Sequence, residues 1–138
     1  MKISKDIKFD CAHMLSNYAG KCANLHGHTY HGTVTLEGQV KPETSMVLDY
    51  NVIKDVIDEF DHAIIFSEAR QRNVAETELF HWAETHGMRR VDLFSGKSTA
   101  ENIALTMVRM FLEYSNVDKV TVRLSETDGS WAIMEGTK

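Results

Sequence analysis

Apolar and polar positions alternate over residues 3–13, placing Ile7, Phe9, Cys11 and His13 on one face of a strand. The alternation resumes over 26–38, with His26, His28, Tyr30, Val34 and Leu36 sharing a face. Between them Ser16 to Ala23, with Asn17, Gly20 and Asn24 nearby, reads as a loop, so 3–38 is expected to be a long hairpin. Gly38 to Thr44, containing the only proline, reads as a turn, and 46–49 as a short extended piece. The period then changes. Val52, Ile53, Val56, Ile57 and Phe60 form a helical stripe behind Asp49, whose carboxylate suits an N-cap.

Residues 67–97 carry the weakest pattern. Ala75, Leu79, Trp82 and His86 keep helical spacing up to Gly87, and Val91 and Leu93 suggest a brief extended segment. Ser98-Thr99-Ala100-Glu101 fits a capping box before the stripe Ile103, Met107, Met110, Phe111 and Tyr114. Val120, Val122 and Leu124 alternate in a third strand, and Trp131, Ile133 and Glu135 in a fourth, joined through Thr127-Asp128-Gly129-Ser130. The order β-β-α-(α)-α-β-β predicts a single α+β domain over 1–138, with helices packed on one face of a four-stranded antiparallel sheet.

Two features of this pattern bear chemistry. His26-Gly27-His28 places two imidazoles on one strand face, and His13 ends the facing run on its own inward parity. If these strands pair, three rings converge and a fourth tetrahedral position stays open, the arrangement of a catalytic zinc. A chain with seven histidines also produces such spacing with no metal, and spacing alone leaves both readings standing. The parity of the third strand brings Glu126 inward at its end. There it either meets water at the sheet rim or anchors a ligand, since an unpaired buried carboxylate is costly. Asp61-His62 falls at the end of the first helix, where solvated polar residues are common.

Composition narrows the rest. The formal net charge of -5 argues against a nucleic-acid-binding surface. No apolar run approaches the roughly 20 residues of a membrane span, and Met-Lys-Ile-Ser-Lys-Asp lacks a signal-peptide core, so a cytoplasmic protein is expected. Two cysteines in that setting are not expected to form a disulfide. Cys11 reads as a small core residue, whereas Cys22 beside Lys21 lies where a thiolate is favoured.

Taken together, Phe9-x-x-Ala12-His13, Cys22-x-x-x-His26-Gly27-His28, Leu48-Asp49-Tyr50, Phe60-Asp61-His62, Ser98-Thr99-Ala100-Glu101-Asn102 and Ser125-Glu126-Thr127 resemble the 6-pyruvoyltetrahydropterin synthase family, in its order and over nearly the whole chain. That family includes the 6-carboxytetrahydropterin synthases of queuosine biosynthesis. The resemblance implies the tunnelling fold (T-fold), assembled as a homohexamer, a dimer of trimers, with active sites between subunits. It implies zinc on His13, His26 and His28, a catalytic thiol at Cys22 with Asp61 and His62 as partners, and Glu126 anchoring the pterin with Thr99 nearby. The implied substrate is 7,8-dihydroneopterin triphosphate. Three residues separate Cys22 from His26, a spacing similar to the branch that releases acetaldehyde and triphosphate to give 6-carboxytetrahydropterin. The alternatives are a 6-pyruvoyltetrahydropterin synthase or a non-catalytic zinc- or pterin-binding protein. Three positions depart from the family pattern: Ser98 stands where proline is usual, Cys11 where alanine is, and Met14 where a basic residue is common.

Overall fold

The computed structural model describes residues Met1–Lys138. The hairpin forms as expected, β1 running Lys2–His13 and β2 His26–Gly38. Then follow α1 (Tyr50–Asp58), β3 (Ala63–Phe66), α2 (Val74–Thr85), β4 (Arg90–Asp92), α3 (Ala100–Leu112), β5 (Val117–Ser125) and β6 (Ala132–Thr137). The α+β class stands, but the sheet has six strands in the order β4-β3-β1-β2-β5-β6. The four expected strands pair antiparallel, while β3 and β4 extend the β1 edge in parallel. The physical reason for the shortfall is that β3 is a continuous apolar run, Ala-Ile-Ile-Phe, and β4 only three residues. A parallel strand buried on both faces, as β3 is, carries no period-two signal, and β4 takes up the brief extended segment expected around Val91.

The inward parity of β1, β2 and β5 meets α1 and α3 in one core. Ile53, Phe60, Ile103, Met107 and Phe111 from the helical side are fully buried against Phe9, Tyr30, Val34 and Val122. Each such side chain stabilises the fold by about 1.5–3 kcal/mol through apolar area removed from water. Gly32 sets how closely β2 can approach β5: a Cβ there would lie 2.1 Å from the Arg123 carbonyl oxygen.

Local caps divide between expectation and correction. Asp49 accepts from Asn51 N at 2.8 Å and starts α1 as expected. The cap of α3 is Thr99 rather than Ser98, its hydroxyl accepting from the Asn102 amide, and the reciprocal bond of the anticipated box is not made, because the Thr99 amide donates to the Lys97 carbonyl instead. In α2 the spacing of Ala75, Leu79, Trp82 and His86 does not mark the buried face: Trp82 is 48% exposed, while Glu76 and Ala83 are fully buried. No helix is long and apolar enough to cross a membrane.

Candidate active site

The ladder between β1 and β2 pairs His13 with His26, Cys11 with His28 and Phe9 with Tyr30. All three histidines therefore share the inward face at the end of the hairpin, two directly opposed and the third diagonal. Their ring centroids stand 4.6, 5.1 and 4.8 Å apart, and one nitrogen from each lies within 4.8 Å of the others. Three imidazoles thus converge as the strand parity predicted.

Backbone carbonyls decide which nitrogens converge. His13 Nδ1 lies 2.5 Å from the Ser98 carbonyl oxygen, and His26 Nδ1 lies 2.7 Å from that of Asn24. A carbonyl only accepts, so Nδ1 bears the proton in both rings and Nε2 presents a lone pair. Those two Nε2 atoms face each other at 3.1 Å. His28 Nε2 is buried with no hydrogen-bond partner. Lone pairs crowded together in this way repel unless a cation lies among them. The donor set therefore fits a metal that favours three neutral nitrogens, and the Ser98 and Asn24 carbonyls orient two of the three rings. Burial pushes the imidazolium form of His13 and His28 down, opposed in part by Glu126 nearby, so both rings are held neutral as ligation requires.

Glu126 follows directly on β5 and lines a cavity of about 240 Å³ together with His13, Thr99, Glu101 and Trp131. Its Oε1 accepts a hydrogen bond from the Tyr30 hydroxyl at 2.9 Å and lies 3.3 and 3.4 Å from His13 and His28 Nε2. Burial first, and then the Glu126 charge, drive the Tyr30 phenol well above its ordinary range, so it remains a donor. Glu126 thus lies at the end of the strand as a part-exposed carboxylate that faces a cavity.

A second hollow, lined by Asp10, Cys11, His28 and His62, opens beside the triad. The chain turns sharply there, with His62 at φ +56° and its amide bonded to the Asp10 carbonyl. Here Asp61 Oδ2 lies 2.9 Å from His62 Nδ1, while Oδ1 accepts from the Asp10 amide at 2.9 Å. That amide bond and then His62 hold the Asp61 carboxyl below the usual carboxylate range. Cys22, half-buried on a single helical turn at 21–23, is tied to the end of β1 by a 2.8 Å bond from the Leu15 amide to its carbonyl oxygen. It lines neither hollow. Burial, and next Glu126, push the Cys11 thiol up to about 12, which keeps it a protonated core side chain.

Residues 67–97, which carry the weakest pattern, together with Ser98 supply an unexpected support. Buried Glu76 accepts from the Ser16 hydroxyl and from the Ser67 amide at 2.7 Å. Ser67 Oγ accepts from the Ser98 amide at 3.1 Å, and Ser98 Oγ donates to the Met14 carbonyl at 3.1 Å. Ser98 is the residue whose carbonyl holds His13. A serine in place of proline is thereby explained: both its N–H and its hydroxyl are in use. Asn73-x-x-Glu76 was the only signal in sequence, and it points to a helix cap rather than to this network.

Comparison with known proteins gives the same direction. The family model for 6-pyruvoyl tetrahydropterin synthase matches residues 2–137. A 6-carboxy-5,6,7,8-tetrahydropterin synthase of Haemophilus influenzae is 31% identical over 140 residues, covering 94% of this chain and 95% of its own. One from Rickettsia bellii is 34% identical over 110 residues, covering 76% and 75%. Among solved structures, the 6-pyruvoyl tetrahydropterin synthase of Caenorhabditis elegans superposes with a TM-score of 0.59 at 26% identity, covering 99% of this chain and 96% of its own. An uncharacterized protein from Wolinella succinogenes superposes with a TM-score of 0.69 at 21% identity, covering 97% of each chain and showing the fold alone.

Proposed function

Because the chain belongs to the 6-pyruvoyl tetrahydropterin synthase family, we propose that it is a zinc-dependent lyase, a 6-carboxy-5,6,7,8-tetrahydropterin synthase. In this reading it converts 7,8-dihydroneopterin triphosphate and water to 6-carboxytetrahydropterin, acetaldehyde and triphosphate, serving queuosine or a related 7-deazaguanine pathway. The observation that carries the metal is the pair of bare Nε2 atoms of His13 and His26, each fixed by a carbonyl, with His28 Nε2 unpartnered beside them. The names of the relatives and the Cys22-x-x-x-His26 spacing favour the carboxy product over the pyruvoyl one.

Bound on the three imidazoles, zinc would supply a Lewis acid that makes protons near the side-chain hydroxyls more acidic. The chain's own residues would do the rest. Glu126 would accept N–H and amino hydrogen bonds from the pterin, a fork that sets its orientation, with Thr99 on the same cavity. His62, whose Nδ1 is held by Asp61, keeps Nε2 free to take or return a proton. Cys22 would act as a second proton-transfer base from its loop, and it reaches neither hollow within one chain. That placement supports sites completed between subunits of a homohexamer. The outer edge of β6 is unpaired, with Ile133 exposed on it, which supports the same assembly. Two free cysteines accord with a cytoplasmic setting.

Incubation of the zinc-loaded protein with 7,8-dihydroneopterin triphosphate, followed by product identification, tests the proposal. Acetaldehyde with a 6-carboxypterin is the expected result. A pyruvoyl product would move the protein to the other branch, and pterin binding without turnover would make it a binding protein.

A further inference from the structure

We propose that Tyr30 is a positioning residue that sets the direction of the Glu126 carboxylate, an inference resting on the reading of Glu126 as the pterin anchor. Glu126 lies just past the end of β5, outside the hydrophobic core, with its side chain 31% exposed. An anchor that must present a two-point acceptor needs its plane held before the ligand arrives. Tyr30 is built to hold it. The ring is fully buried, stacked on Phe9 at 5.0 Å with 7° between planes, and meets the His28 ring edge-on at 5.7 Å. Only its hydroxyl faces the site, 2.9 Å from Glu126 Oε1.

No other side chain can do the same. His13 Nε2 lies 3.3 Å from Oε1, but the proton of that ring is on Nδ1, directed at Ser98. His28 Nε2 lies 3.4 Å away without forming a hydrogen bond. Both nitrogens belong to the candidate metal site and have no proton to give while they serve as ligands. Tyr30 is therefore the one hydrogen-bond donor to Glu126 within the chain, and it engages Oε1 alone. Oε2 has no partner within the chain and is available to a ligand. A phenylalanine would fill the same volume and stack on Phe9, yet leave the carboxylate to rotate.

The test is a double-mutant cycle with Tyr30→Phe and Glu126→Gln, read by fluorescence titration of 7,8-dihydroneopterin on zinc-loaded protein and by steady-state kinetics. Tyr30→Phe should retain zinc, weaken pterin binding about tenfold, and raise KM more than it lowers kcat. In the Glu126→Gln background the same change should cost less than about twofold. If Glu126→Gln weakens binding and Tyr30→Phe does not, the positioning role fails while the anchor stands. Additive losses would also overturn it, because Tyr30 would then act through the fold at large. If Glu126→Gln binds pterin as well as the parent, the anchor reading itself fails and takes this inference with it. Should Tyr30→Phe not fold, 3-fluorotyrosine at position 30 gives an independent readout. Its fluorine resonance should shift on adding 7,8-dihydroneopterin and stay in place in Glu126→Gln; no shift in the parent would refute the proposal.

Discussion

The hairpin of β1 and β2 and the segment from Ser67 to Ser98 serve the same site by different means. The hairpin delivers side chains: His13, His26, His28 and Tyr30 project inward because strand parity leaves them no other direction. The segment delivers a carbonyl. Its one hydrogen bond to the triad is the backbone oxygen of Ser98 on His13 Nδ1, held through Ser67 and buried Glu76. The hairpin supplies the candidate ligands, whereas the segment supplies the tautomer and aim of one of them. Ligand chemistry and ligand orientation are thus assigned to separate stretches of chain.

The largest effects belong to the hairpin and its loop. His28→Ala removes one of three converging nitrogens and should abolish both stoichiometric zinc, measured by elemental analysis, and turnover. Retained tight zinc would disprove the ligand set. Cys22→Ala should leave zinc content intact and lower kcat by about 10²–10⁴-fold, the scale of a lost proton-transfer group. If zinc is lost as well, Cys22 serves the metal rather than a proton.

These two regions also differ in how far they can be read from sequence. The triad, the Glu126 parity and the Asp49 cap were legible because each follows from a local period or cap. The parallel strand β3 was not, since a four-residue apolar run carries no alternation, and β4 was legible only as a brief extended segment around Val91, too short to reveal its place in the sheet. Glu76 was equally hidden. Its partners Ser16 and Ser67 lie 60 and 9 residues away, and a glutamate early in a helix reads as solvated until the loops that cover it are known. Tyr30 shows a middle case: parity placed its ring inward, but only the fold put its hydroxyl against Glu126.

Glu76→Ala turns the comparison into a measurement. The change leaves the Ser67 amide and Ser16 hydroxyl buried without an acceptor, at a cost of about 1–3 kcal/mol for each group. Chemical denaturation should report that loss directly. If the segment orients His13 as the hydrogen bonds indicate, zinc affinity should fall by about 10–100-fold, as for other losses of outer-sphere support. A variant that is destabilised but binds zinc with unchanged affinity would reduce the segment to a scaffold.

Ser98→Pro is the finer version, because it restores the residue that the family resemblance leads one to expect before Thr99. Proline has no N–H and no hydroxyl, so the bonds to Ser67 Oγ and the Met14 carbonyl both disappear, while the Ser98 carbonyl that meets His13 is retained. The expected loss is about 1–3 kcal/mol, less than for Glu76→Ala, since Ser67 Oγ and the Met14 carbonyl are acceptors and the Glu76 bonds survive. Zinc affinity should change by less than about tenfold, because the carbonyl on His13 Nδ1 is still present. A stabilised proline variant would mean that the serine network merely occupies space left by the missing ring. A proline variant that loses zinc altogether would mean that the position of that single carbonyl depends on both bonds, and that the segment controls the triad more tightly than Glu76 alone implies.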